Sequence, residues 1–176
     1  MNITKNAIII FLIIIAIVSR WVPHLPNFTP VAALALLAGA YLRPKIWAYI
    51  IPIVVMVVSD IILGFHISSL FVYFSMLIYV WAGQLFLHGA FRPLHTIGAA
   101  LFCSITFFLI SNFGVWCEGW LYPMDASGLI NCYIQGIPFF RNTILGDLTY
   151  TIVLFGCYHI AINYLMPVGE KVKSKY

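Results

Sequence analysis

The chain has 176 residues, of which 63% are hydrophobic and 8% charged, with a formal net charge of +4. An average soluble domain is about 45–50% apolar and about 25% charged, so this composition excludes a water-soluble globule. The nine basic residues stand singly at segment ends rather than in a stripe, which excludes nucleic acid as a partner and leaves the lipid bilayer.

At roughly 20–25 residues per span, the length permits one transmembrane domain, 1–176, of six or seven spans. Six apolar stretches are legible. The first, residues 7–21, follows Lys5 as a signal peptide would. Ser19-Arg20-Trp21-Val22-Pro23 offers no small-x-small cleavage site, however, so it reads as a retained helix. The second, 28–42, opens on Thr29-Pro30 and is rich in alanine and glycine, which lets helices approach closely in lipid. The third covers 46–63, the fourth 70–87 and the fifth 95–115. An outer loop at about 116–138 carries Gly119, Pro123, Gly128 and Gly136 with many aromatics, and reads as a structured lid. The sixth helix covers 139–165 and is broken by Pro167 and Gly169.

When six helices alternate, Lys5, Arg43, Lys45, Arg92, Lys171, Lys173 and Lys175 fall on one side and only Arg20 and Arg141 on the other. This segregation places both termini in the cytoplasm of a bacterial inner membrane.

Charged groups within spans cost roughly 2.5–3.5 kcal/mol on insertion scales and must face protein or water. Here they gather in the outer third: Asp60 and His66 around the third helix end, Asn112 on the fifth, Arg141, Asn142 and Asp147 on the sixth, Arg20 and Asn27 after the first. Two readings fit. Asp60 or Asp147 forms an internal ion pair with Arg20 or Arg141, or these groups line an outward pocket walled by Trp116 and Tyr122. Arg141 and Asn142, opening a helix, suit an anionic or carbonyl group. Cys117 and Cys132 either pair in an oxidising compartment, closing a loop worth about 3 kcal/mol, or stand as independent thiols. No histidine pair, H-E-x-x-H or C-x-x-C occurs, so neither a metal nor another cofactor is expected. No nucleophile motif supports an enzyme, although two carboxylates and a histidine leave an intramembrane hydrolase as a third reading.

Four segments carry a family resemblance. Arg20-Trp21-x-Pro23-His24-x-Pro26-Asn27-Phe28-Thr29-Pro30-Val31-Ala32-Ala33 resembles the opening of a family of uncharacterised bacterial membrane proteins classed as transport proteins. Ser59-Asp60-x-x-x-Gly64-Phe65-His66, Ser111-Asn112-Phe113-Gly114-Val115-Trp116 and Ile137-Pro138-Phe139-Phe140-Arg141-Asn142-Thr143-x-x-Gly146-Asp147 resemble its later segments. That family is similar in size and six-helix layout to the substrate-binding S components of energy-coupling-factor (ECF) vitamin transporters. The resemblance implies an all-α S-component-like bundle with an outward pocket for a vitamin-like molecule, roofed by the loops after the first, third and fifth helices. It also implies an energising partner module, which S components dock through A-x-x-x-A on the first helix; here that helix carries only Ala7 and Ala16. A non-transporting structural or assembly subunit, using the Ala/Gly face of the second helix against a partner, is the alternative.

Overall fold

The computed structural model describes residues 14–87 and 92–165, and all regular structure among them is helical. Helix α1 is described over residues 14–21. It is followed by α2 (Val31–Tyr41), α3 (Lys45–Leu63), α4 (Ile67–Ala82), α5 (Pro93–Cys117) and α6 (Ala126–Leu165). Lys5, the three tail lysines and the expected break at Pro167 lie outside the described residues. Ile61, Ile62, Leu70, Leu94 and Ile152 are among many large apolar side chains left on the outside of the bundle. So extensive an apolar exterior is a lipid-facing one.

Among the described residues four helices are long and apolar enough to cross a membrane: α3, α4 with its continuation to Leu87, α5 and α6. Helix α2, the second of the six expected, is not among them. With 11 residues it is only about 16 Å long, roughly half the hydrocarbon thickness. It is nonetheless the centre of the fold, with every residue from Val31 to Ala40 buried and α3, α4 and α6 packed around it. Alanine makes this possible, because small side chains let three neighbours approach one helix.

The ends of the spans set a depth scale. Leu63, Ile67 and Cys117 lie at one end of the bundle, called upper here, and Lys45, Leu87 and Pro93 at the other. Arg43, Lys45 and Arg92 all fall at the lower end, as their segregation in the sequence predicts. Helix α2 occupies the lower half. The Asn27 carbonyl and Phe28 backbone lie against Gly146 of α6, and Phe28 stacks on Tyr150 at 5.3 Å. At its other end Tyr41 meets Phe155 and Tyr158, with ring centroids 5.8 and 4.2 Å apart. The chain leaves α1 near the upper end and then descends to mid-depth as irregular backbone over residues 22–30. Pro23, Pro26 and Pro30 keep this stretch from becoming helix, and Asn27 takes a left-handed turn (φ 64°).

Helices α2 and α4 touch backbone to backbone. Any side chain at Gly39 would strike the Val80 carbonyl, and any at Gly83 would strike the Leu36 carbonyl. Gly83 also opens a π-helical turn, Gly83–Leu87, that continues α4.

The expected loop at 116–138 is also corrected. Helix α6 starts at Ala126, thirteen residues before the expected 139, and only 118–125 remain as connection. Gly128 and Gly136 are places of close approach rather than loop residues: a Cβ at Gly128 would meet the Pro123 carbonyl, and one at Gly136 the Asn112 side chain. Pro138 removes one backbone donor without ending the helix. Packing against α5 holds it: Tyr133 Oη donates to the Leu109 carbonyl at 2.7 Å, and Phe108 lies between Tyr133 and Phe140. Asp125 starts α6, accepting from Gly128 N–H at 2.7 Å and Ser127 Oγ at 2.8 Å. These donors, Gly128 N–H foremost, hold its carboxyl below the ordinary 3.8. At 40 residues and about 60 Å, α6 projects beyond the hydrocarbon core at its upper end.

Candidate ligand site at mid-depth

Two polar clusters are built from the residues that hydropathy marks as expensive. The upper one joins α1, α3 and α4. Arg20 Nη2 pairs with Asp60 Oδ1 at 2.8 Å, while its Nη1 donates to Ser59 Oγ at 2.6 Å. Tyr73 Oη donates to Asp60 Oδ2 at 2.6 Å. This is the internal ion pair foreseen as one of two readings, and both partners are largely buried. Every charge in the cluster is answered.

The lower cluster is different. Asp147 is 2% exposed. Its Oδ2 accepts from Tyr79 Oη at 2.5 Å and from Ser104 Oγ at 2.6 Å. No cation reaches the carboxylate among the described residues, and Oδ1 accepts no hydrogen bond there. The sequence reading put Asp147 in the outer third, but Ser104 lies about 17 Å above Pro93 and about 20 Å below Cys117 along α5. Asp147 is therefore at mid-depth.

A cavity of about 160 Å³ connects the two clusters. Arg20, His24 and Leu63 line its upper part; Asn27, Thr29, Val31 and Ala32 bring in the irregular segment and the start of α2; Tyr79, Phe107, Thr143 and Asp147 line it with Met56, Val72 and Met76. The α2 N-terminus reaches this wall uncapped, since Pro30 has no side-chain donor or acceptor and no side chain caps it. The first N–H groups of a helix lack intrahelical partners and carry a partial positive charge. A second cavity of about 180 Å³, lined by Asp60, His66, Ser68 and Ser69, shares Arg20, Met56, Leu63 and Val72 with the first. The Arg20–Asp60 pair stands between them.

Of the residues singled out in the sequence, Arg20, Asn27 and Asp147 meet in the first cavity, and Asp60 and His66 join Arg20 at the second. Asn112, Trp116, Tyr122, Arg141 and Asn142 line neither. Asn112 Nδ2 donates to the Phe108 carbonyl one turn back, and Trp116 Nε1 donates to the Pro123 carbonyl, bracing the 118–125 connection. Arg141 is exposed on α6, well inside the helix rather than opening it. His66 N–H donates to Ser69 Oγ at the start of α4. Cys117 and Cys132 are free thiols, and Cys132 lies in α6, where Sγ contacts the Asn112 carbonyl at 3.3 Å. Among the described residues no group of three or more metal-ligating side chains occurs.

With this geometry in place, comparison with known proteins adds one finding. Residues 1–168 match the model of a family of unknown function, DUF6580. The chain belongs to that family. No curated protein and no solved structure matches it. The match carries no link to ECF transporters. Tyr79, Ser104 and Tyr73 are not singled out in this DUF6580 chain's sequence, and Ser59 stands there only as part of a motif. Hydroxyls are cheap to place in a span, so they leave no signal of their own.

Proposed function

We propose that this chain is a small-molecule uptake protein of the inner membrane, S-component-like in action, whose ligand enters from the upper side and binds in the mid-depth cavity. The observation that carries this reading is the half-length helix α2, which ends uncapped against the same cavity as the buried Asp147. Half-helices that bring an N-terminus and irregular backbone to the bilayer midplane are how many transporters build substrate sites. Irregular backbone at that depth is tolerated only where protein or a water-filled cavity satisfies it. In this reading the α2 N–H groups meet a carbonyl or carboxylate of the ligand, Asn27 and Thr29 add polar contacts, and Asp147 fixes the other end. The upper side faces outward and the basic lower end faces the cytoplasm, with both termini there. Transport has no chemical step on the ligand, and an energising module would bind elsewhere on the bundle.

The subunit alternative loses its stated surface, because the Ala/Gly face of α2 is buried inside this fold. Thermal stability of the purified protein across a panel of vitamins, amines, acids and neutral metabolites tests the proposal. Stabilisation by at least one compound, lost when Thr143→Trp fills the cavity, is the expected result. A flat response across the whole panel contradicts it.

A further inference from the structure

The charges around the first cavity do not balance. Arg20, the one permanent cation lining it among the described residues, is already neutralised by Asp60 at 2.8 Å. Among the described residues Asp147 is held by two neutral hydroxyls, both on Oδ2, and its Oδ1 accepts no hydrogen bond from them, in a residue that lines the cavity. A buried carboxylate without a countercharge is expensive, and two hydroxyl donors offset only part of that cost. Hydroxyl donors also orient the group: with Oδ2 doubly occupied, Oδ1 is the acceptor that remains for whatever enters. The surrounding wall suits a soft cation. Tyr79 and Phe107 contribute aromatic side chains and Met76 a thioether (the Met56 sulfur already accepts from Arg20 Nη1 at 3.0 Å), with no second carboxylate among the lining residues. A bare metal ion is poorly served by one carboxylate whose neighbouring hydroxyls already donate to it.

Resting on the uptake reading above, we infer that the ligand carries a cationic nitrogen, an amine or related organic cation, which donates to Asp147 Oδ1 and completes the charge balance of the cavity. The ion pair formed is buried, and its donor arrives with the ligand rather than from the chain. That makes Asp147 a specificity-determining residue: an isosteric neutral ligand would leave the carboxylate unanswered and bind weakly.

The test uses purified full-length protein in lipid nanodiscs, with n-butylammonium, guanidinium and tetramethylammonium as probes beside the neutral isosteres n-butanol and urea and the anion butyrate. Two readouts are taken: thermal stabilisation, and protection of Asp147 from modification by a hydrophobic carbodiimide, located by mass spectrometry. The nitrogen cations are expected to stabilise the protein and protect Asp147, with apparent affinity about 10- to 100-fold above their neutral partners. Asp147→Asn removes that discrimination. If this variant does not fold, Ser104→Ala, which loosens the carboxylate but keeps its charge, retains a preference for cations. Binding of neutral or anionic probes with no advantage for cations overturns the inference and leaves uptake standing. Protection by sodium chloride alone also overturns it, in favour of a coupling ion. No binding of any probe, with no response in the broader metabolite panel, removes both.

Discussion

The packing of α2 against α4 makes a prediction whose sign depends on geometry. Gly39→Ala places a Cβ 2.9 Å from the Val80 carbonyl carbon and 3.0 Å from Val80 Cα, and closer still to the carbonyl oxygen. Backbone cannot rotate away as a side chain can, so α2 and α4 must separate. In an unobstructed helix the same exchange stabilises by about 1 kcal/mol. Forcing an extra methyl into a close-packed interface costs about 1–3 kcal/mol, and here it also parts the central helix from its neighbour. The net effect is a loss of up to about 2 kcal/mol, or up to a few degrees of melting temperature in a chain of this size. Gly98 is the control: it lies within α5, and a Cβ there meets nothing within 4 Å. Gly98→Ala should raise the melting temperature and Gly39→Ala should lower it, measured by intrinsic fluorescence in the same detergent. Shifts of the same sign and size in both variants would refute the backbone contact and with it the central position of α2.

Other consequences follow from the polar clusters and the start of α6. Tyr79→Phe and Ser104→Ala each take one donor from the buried Asp147 and should destabilise by about 1–3 kcal/mol in denaturant titrations. The double variant should be non-additive, since both donors meet one oxygen, and two near-neutral single variants would contradict the arrangement. Arg20→Ala strands Asp60 and should cost about 3 kcal/mol, while adding Asp60→Ala should restore part of that loss; equal or greater loss in the double variant would argue against the pair. The Asp125 carboxyl sits below its ordinary value when folded, so its stabilising effect is present above about pH 3.8 and fades as the pH falls through the folded value. The gap in melting temperature between wild type and Asp125→Ala should therefore hold down to about pH 4 and close below it; a gap unchanged at lower pH would exclude the carboxylate as its source.

Much of the candidate site was legible because charge in a span is expensive. Arg20, Asp60 and Asp147 stand out from an apolar background by cost alone, and the Arg20–Asp60 pair was among the alternatives that cost allowed. Their partners were not legible. Tyr73, Tyr79, Ser59 and Ser104 resemble ordinary span residues until the fold brings them to a carboxylate. Starting α6 at residue 139 places Asp147 too high, and Gly128 and Gly136, which read as loop residues, invite that start. In water such residues weaken a helix, but beside α5 the glycines admit the Pro123 carbonyl and the Asn112 side chain. The half-length of α2 had a signal in Pro23, Pro26 and Pro30, three prolines within one short stretch ahead of a short apolar run. The segment leading into it, at Asn27 and Phe28, could not be placed against Gly146 from spacing alone, because that contact joins residues far apart in the chain.

The central claim is that a cavity with a few polar groups descends from the upper face to mid-depth, where α2 begins. Cysteine substitution with a small, membrane-impermeant thiol reagent measures this directly. In a background with Cys117 replaced by serine, Thr143→Cys places a thiol in the cavity wall, and Ile152→Cys places one on the exposed outer surface of the same helix, lower down. Applied to intact cells, the reagent should modify the thiol at 143 and spare the one at 152. Modification of neither, or of 152 in preference to 143, would contradict a water-reachable site at mid-depth.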